Sequence, residues 1–135
     1  MPPVQTTIAC PNCRHPVRAQ IDQLFDVTAN PADKQRFLRG QFNLLQCPNC
    51  RYAGMVATPL VYHDADKELL LTYFPMELAM PKPEQEKLVG RLVNQVMTAL
   101  PPEKRKGYLF KPSEVFTLQG MGDRVLEADG VTREM

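Results

Sequence analysis

The spacing of apolar and polar positions changes along this chain, and each change marks an element. Val17, Ala19 and Ile21 alternate with Arg18, Gln20 and Asp22. That period of two predicts a half-buried strand extending to about Val27. Before it, Val4, Thr6, Thr7 and Ile8 give β-propensity to Val4 through Ala9. Phe42 to Gln46 and Ala53 to Pro59 read as a second pair of strands, and Leu60 to Tyr62 and Glu68 to Phe74 as a third, joined by a polar turn from His63 to Lys67. Leu69, Leu70, Leu71, Tyr73 and Phe74 form a nearly continuous apolar run, which calls for a strand covered on both faces.

Elsewhere the period is helical. Asn30 as N-cap, Pro31 at the first position, Asp33 in the first turn and Gly40 at the end predict a short helix over 31–39, with Lys34, Arg36 and Arg39 giving it a basic, solvated face. From Pro83 to Leu100, the residues Leu88, Val89, Leu92, Val93, Val96, Met97 and Leu100 line one stripe, and Pro101-Pro102 stops the element. A second amphipathic helix is expected from about Ser113 to Ala128, weakened locally by Gly120 and Gly122. These elements predict an α+β fold, a small antiparallel sheet with C-terminal helices packed on it. At 135 residues and 44% hydrophobic, residues 1–135 suit a single domain. Its expected parts are a β part over 1–75 and a helical part over 76–135.

All four cysteines fall in two copies of one tetrapeptide, Cys10-Pro11-Asn12-Cys13 and Cys47-Pro48-Asn49-Cys50, each at the tip of an expected hairpin. A CxxC turn aims two thiolates at one point, and two such turns complete the tetrahedral four-sulfur shell that Zn2+ prefers. The expectation is one Zn2+ per chain on Cys10, Cys13, Cys47 and Cys50, with iron or a redox dithiol as the alternatives. Four protein ligands leave no coordination position for a substrate, so the site points away from catalysis. The absence of a leader and of an apolar run long enough to span a bilayer predicts a cytoplasmic protein without membrane contact, where a reducing environment disfavours disulfides.

Charge narrows the choice of partner. Sixteen Lys and Arg stand against 15 Asp and Glu, and zinc on four thiolates would shift the total to about −1. That balance lacks the basic footprint of most nucleic-acid binders. Lys104, Arg105, Lys106 and Tyr108 form the one segment that interleaves basic and aromatic residues, and they are the candidate nucleic-acid or partner contacts. The bland reading makes them a solvated linker whose aromatic residues pack inward. His15 is expected to stay out of the metal shell. His63, beside Asp64, reads as a turn residue rather than a general base. No glycine-rich phosphate loop, HExxH or GxSxG occurs.

The paired Cys-Pro-Asn-Cys units, the Asn30-Pro31 and Gly40-Gln41-Phe42-Asn43 segments, and the stretch from Val61-Tyr62-His63-Asp64 to Phe74-Pro75 resemble the bacterial and archaeal CpXC-motif family over most of the chain. The resemblance implies a zinc-ribbon-like domain with metal on the four cysteines, and no reaction. One local departure stands out: zinc knuckles often carry Gly after the second Cys, where this chain has Arg14 and Arg51. Either the arginines adopt a positive φ or the turns use another dihedral. The leading functional expectation is a non-enzymatic, zinc-stabilised module for protein interaction, self-association or regulation. A nucleic-acid-binding zinc ribbon comes second, and a redox or zinc-release sensor third.

Overall fold

The structure is a computed structural model that describes residues 4–40, 42–56 and 58–130. Strands β1 (Val4–Ala9) and β2 (Pro16–Ile21) form an antiparallel hairpin running from the Val4↔Ile21 pair to the Ala9↔Pro16 pair. Strands β4 (Leu44–Gln46) and β5 (Ala53–Met55) form a second, shorter one. Between them lie β3 (Leu24–Asp26) and helix α1 (Ala32–Leu38). Strands β6 (Leu60–Asp64) and β7 (Leu69–Tyr73), helix α2 (Lys82–Ala99), strand β8 (Ser113–Val115) and helix α3 (Leu118–Ala128) follow. A four-stranded sheet has the order β3-β6-β7-β8. In it β6 and β7 are antiparallel, whereas β3 runs parallel to β6 and β8 parallel to β7.

Alternation along β6 and β7 sorts side chains onto two covered faces, as the apolar run required. Tyr62 and Leu71 join Phe25, Phe37 and Phe42 beneath α1, and Met121 and Val125 beneath α3. Val61 and Leu70 face the other way with Leu24, against Leu92, Val93 and Val96 of α2. The three phenylalanines pack edge-on and stacked at 4.9–5.6 Å between ring centroids, a geometry that adds about 1 kcal/mol per pair to simple burial. The molecule is therefore a helix–sheet–helix sandwich with the two small hairpins attached. Among the described residues no helix is long and apolar enough to cross a membrane.

Several expected boundaries move, each for a visible reason. The strand expected from Val17 to about Val27 breaks at Asp22-Gln23, because the Asp22 N–H donates to Asn43 Oδ1 (2.6 Å) and Asn43 Nδ2 donates to the Asp22 carbonyl (2.9 Å). Those bonds remove Asp22 from the hairpin ladder, and β3 enters the other sheet. Asn43 itself sits at φ 52°, so the strand expected from Phe42 starts at Leu44 and Phe42 turns into the core. The strand expected over Ala53 to Pro59 ends at Met55, and residue 57 lies outside the described residues. Asn30 does not cap α1, since its side chain donates to Asp33 instead, whereas Gly40 closes the helix at φ 67° as expected. The basic face of α1 is partly spent within the molecule: Arg36 binds Asp22 and Asp33, and Lys34 pairs with Asp129.

The largest correction concerns the helix expected from Ser113. Its first three residues are β8, paired with β7 from Leu71↔Ser113 to Tyr73↔Val115. The helix begins only at Leu118, where the Thr117 hydroxyl accepts from the Gly120 N–H at 2.8 Å. That bond is an N-cap, worth about 1 kcal/mol.

Candidate metal centre

Each hairpin tip folds its Cys-Pro-Asn-Cys segment in the same way. Cys10 N–H donates to the His15 carbonyl (2.9 Å) and Arg14 N–H to the Cys10 carbonyl (2.8 Å). At the other tip, Cys47 N–H donates to the Tyr52 carbonyl (2.8 Å) and Arg51 N–H to the Cys47 carbonyl (2.9 Å). Closing that last bond places Arg14 at φ 64° and Arg51 at φ 66°. Of the two alternatives left by the missing glycines, the positive φ is the one adopted. It costs a side-chain-bearing residue about 1 kcal/mol at each tip.

The two tips bring the four cysteines together. Their sulfur atoms all lie within 4.8 Å of one another, with Cys10 and Cys50 Sγ 3.6 Å apart and Cys13 and Cys47 Sγ also 3.6 Å apart. None of the four is joined in a disulfide. A tetrahedral Zn–S shell with bonds of about 2.3 Å has S···S edges of about 3.8 Å, close to the two 3.6 Å separations, so the cluster is compatible with a metal of this class. Cys10 and Cys47 are buried and Cys13 and Cys50 half-buried, among Val17, Leu45, Ile8, Tyr52 and Val56.

The asparagines between the cysteines work crosswise. Asn49 Nδ2 donates to Cys13 Sγ at 3.5 Å, and Asn12 donates to Cys50, so each knuckle supports the outer sulfur of the other. These bonds, with backbone donors at His15 and Tyr52, lower the pKa of the Cys13 and Cys50 thiols. Burial raises the Cys10 thiol, but the backbone amides of Cys13 and Asn12 overcome it and the net shift is downward. Burial prevails at Cys47, pushing it up to about 11. The donors match a set of thiolates, the form that binds metal. This role for Asn12 and Asn49 went unread in the sequence, although the repetition of the same residue in both tetrapeptides is its signal.

His15 is exposed and lies outside the sulfur cluster. His63 is not in a turn: β6 extends through it, and it is fully buried. Its Nδ1 lies 2.9 Å from Asp26 Oδ1 and its Nε2 2.7 Å from Tyr108 Oη. Burial and the nearby carboxylates Asp26, Glu68 and Asp64 push the Tyr108 phenol up to about 12, so it stays protonated at neutral pH. The triad ties β3, β6 and the turn at Gly107–Phe110 together within the α2 side of the core. Of the basic-aromatic segment, Tyr108 thus faces inward, while Lys104, Arg105 and Lys106 are exposed. Arg105 Nε donates to the Leu100 carbonyl, and Lys106 Nζ lies 3.9 Å from Glu68.

Neither the curated proteins nor the solved structures contain a match to this chain. The protein family described as CpXC protein matches residues 8–135, a span that takes in both knuckles, the four-stranded sheet and all three helices. The chain belongs to the CpXC family.

Proposed function

We propose that this CpXC chain is a non-enzymatic module for protein interaction, stabilised by one Zn2+ per chain on Cys10, Cys13, Cys47 and Cys50. The observation that carries the reading is the cluster itself: four sulfurs within 4.8 Å of one another, backed by crosswise asparagine donors and by buried side chains. Bound there, the metal supplies folding free energy rather than a reactive position. The reading also takes residues 1–135 as one domain, with a β part over 1–75 and a mainly helical part over 76–135. In its support, β8 from the second part is hydrogen-bonded to β7 from the first. A cytoplasmic setting belongs to the same reading, since it keeps thiols reduced.

Metal analysis of the purified protein, combined with capture of the tagged chain from its native cells with and without nuclease, tests the proposal. One zinc per chain and a nuclease-resistant protein partner are the expected results. Zero or two metals, or a partner lost on nuclease treatment, would overturn it.

One observation favours nucleic-acid binding as a second reading. The hairpin segments 4–21 and 44–56 carry Arg14, Arg18 and Arg51 and no Asp, Glu or Lys. Three phosphate contacts from these arginines would support only weak, salt-sensitive binding, near the roughly 10⁻⁴–10⁻⁶ M of non-specific association. Submicromolar affinity lost on replacing the three arginines, or on replacing Lys104, Arg105 and Lys106, would move this reading to first place.

A further inference from the structure

Three of the exposed large apolar side chains, Met76, Phe110 and Phe116, gather around a groove between α2 and β8. The groove consists of two cavities of about 470 and 280 Å3 that share Thr72, Phe74, Gln85 and Glu114. Phe110 borders the first, and Met76 and Phe116 border the second. Phe110 is 73% exposed, Phe116 79% and Met76 88%. Together these three present on the order of 450 Å2 of apolar surface, within the range of a monomer's largest patch, which is often a functional one.

We infer that a second copy of this chain docks on this groove about a two-fold axis, each copy's Phe116 entering the other's cavity beside Met76. This rests on the interaction reading above and names its surface and occupant. Three features select a second copy. First, a projecting aromatic side chain adjoins a cavity on the same face, and a two-fold contact requires that a surface be complementary to itself. A cavity of about 280 Å3 has room for a phenyl ring. Second, the three charges that line the groove are engaged with one another within the chain. Lys82 spans it to Glu114 at 3.0 Å, and Glu86 also acts on Lys82, so the patch resembles the more apolar interfaces of homodimers. Third, the exposed patch already supplies about half of the roughly 800 Å2 per partner that a standard interface buries.

Strand addition is the rival geometry, because β8 is an edge of the sheet. It has three residues, follows Pro112 and carries Glu114, all features that blunt an edge against pairing. Side-chain insertion is the contact this surface favours.

Sedimentation of the zinc-loaded full chain from about 5 to 500 μM, together with Phe116→Glu, Met76→Glu and the control Lys104→Glu, tests the inference, with the wild type expected to dimerise in the micromolar range. Each apolar-to-charged variant should weaken the dimer at least roughly tenfold and the control should leave it unchanged. Phe116 and Met76 contribute little to the folded core, so circular dichroism and zinc content should match wild type and exclude misfolding as the cause. A wild type that stays monomeric throughout, or a dimer indifferent to both variants, overturns the inference. If the wild type is monomeric yet Phe116→Glu loses a captured protein, the interaction reading survives and the occupant is a different chain.

Discussion

The two hairpins and the four-stranded sheet meet the same requirement, burying enough surface to hold strands together, by opposite means. The sheet lies between two apolar clusters of ten and eight buried residues, with helices on either side. The hairpin pair has a cluster of four, and two of those are Cys10 and Cys47. Burial of Val17 and Leu45 yields a few kcal/mol, too little to offset the ordering of two hairpins. What the difference teaches is that cohesion in the hairpin lobe depends on the sulfur centre, whereas the sheet depends on side-chain volume.

Removing one cysteine should separate the two regions most clearly. Metal-binding free energy at four-ligand sites is on the order of 10 kcal/mol, so Cys47→Ser is expected to release the metal and abolish hydrogen-exchange protection in β1, β2, β4 and β5. Protection in β6 and β7 should survive. If those strands lose protection as well, the regions are not independent and the comparison fails. Acid should act in the same direction. Every ligand must lose its proton to bind, and burial holds the Cys47 thiol at about 11 in the metal-free form. Proton competition therefore grows as pH falls, and a chelator should extract metal more readily at pH about 6 than at pH about 8.

The reverse test strikes the sheet. Leu71 is fully buried in the cluster that includes Phe25 and Met121, and Leu71→Ala should cost about 2–5 kcal/mol in urea unfolding. Zinc stoichiometry of the folded fraction should not change. Loss of zinc in the same transition that unfolds the helices, shifted by Leu71→Ala to the same extent, would show that the lobe leans on the sheet more than its contacts suggest.

A smaller effect is expected at the joint. Asn43→Ala removes both bonds that tie the start of β4 to the end of β2 and leaves a non-glycine residue at positive φ, a loss of roughly 1–3 kcal/mol. Exchange protection in the hairpins should fall while zinc stays bound. Asn43→Gly restores the backbone but not the hydrogen bonds, so it should recover only part. The least costly change is Tyr108→Phe, which deletes the bond to His63 and should cost about 1 kcal/mol; unfolding below pH 6 and at pH 8 should report it equally if the bond is purely structural.

The features that were legible in the sequence are those set by residues close together along the chain. Two CxxC units announce their own turn, the stripe from Leu88 to Leu100 announces α2, and Gly40 announces the end of α1. What stayed hidden depends on partners far away. Ser113-Glu114-Val115 has no strand pattern and is a strand only because β7 offers it a ladder. Asp22 looks like the polar half of an alternation, and Asn43, 21 residues on, takes it out. His63 looks like a turn residue because its neighbours are polar, while its burial is made possible by Asp26 and Tyr108 on other elements. Within the sulfur centre the four clustered cysteines were readable, but the crosswise pairing of Asn12 and Asn49 was not, since it exists only once the tips meet.

That crosswise pairing also has a consequence in time. Neither knuckle is self-sufficient: each outer sulfur takes its side-chain donor from the other tip. During synthesis the first tip leaves the ribosome some seconds before the second, at about 5–20 residues per second. Through that interval Cys10 and Cys13 stand as two sulfurs of an unfinished cluster, open to any metal or oxidant that meets them, and the four-sulfur arrangement exists only when the second half arrives.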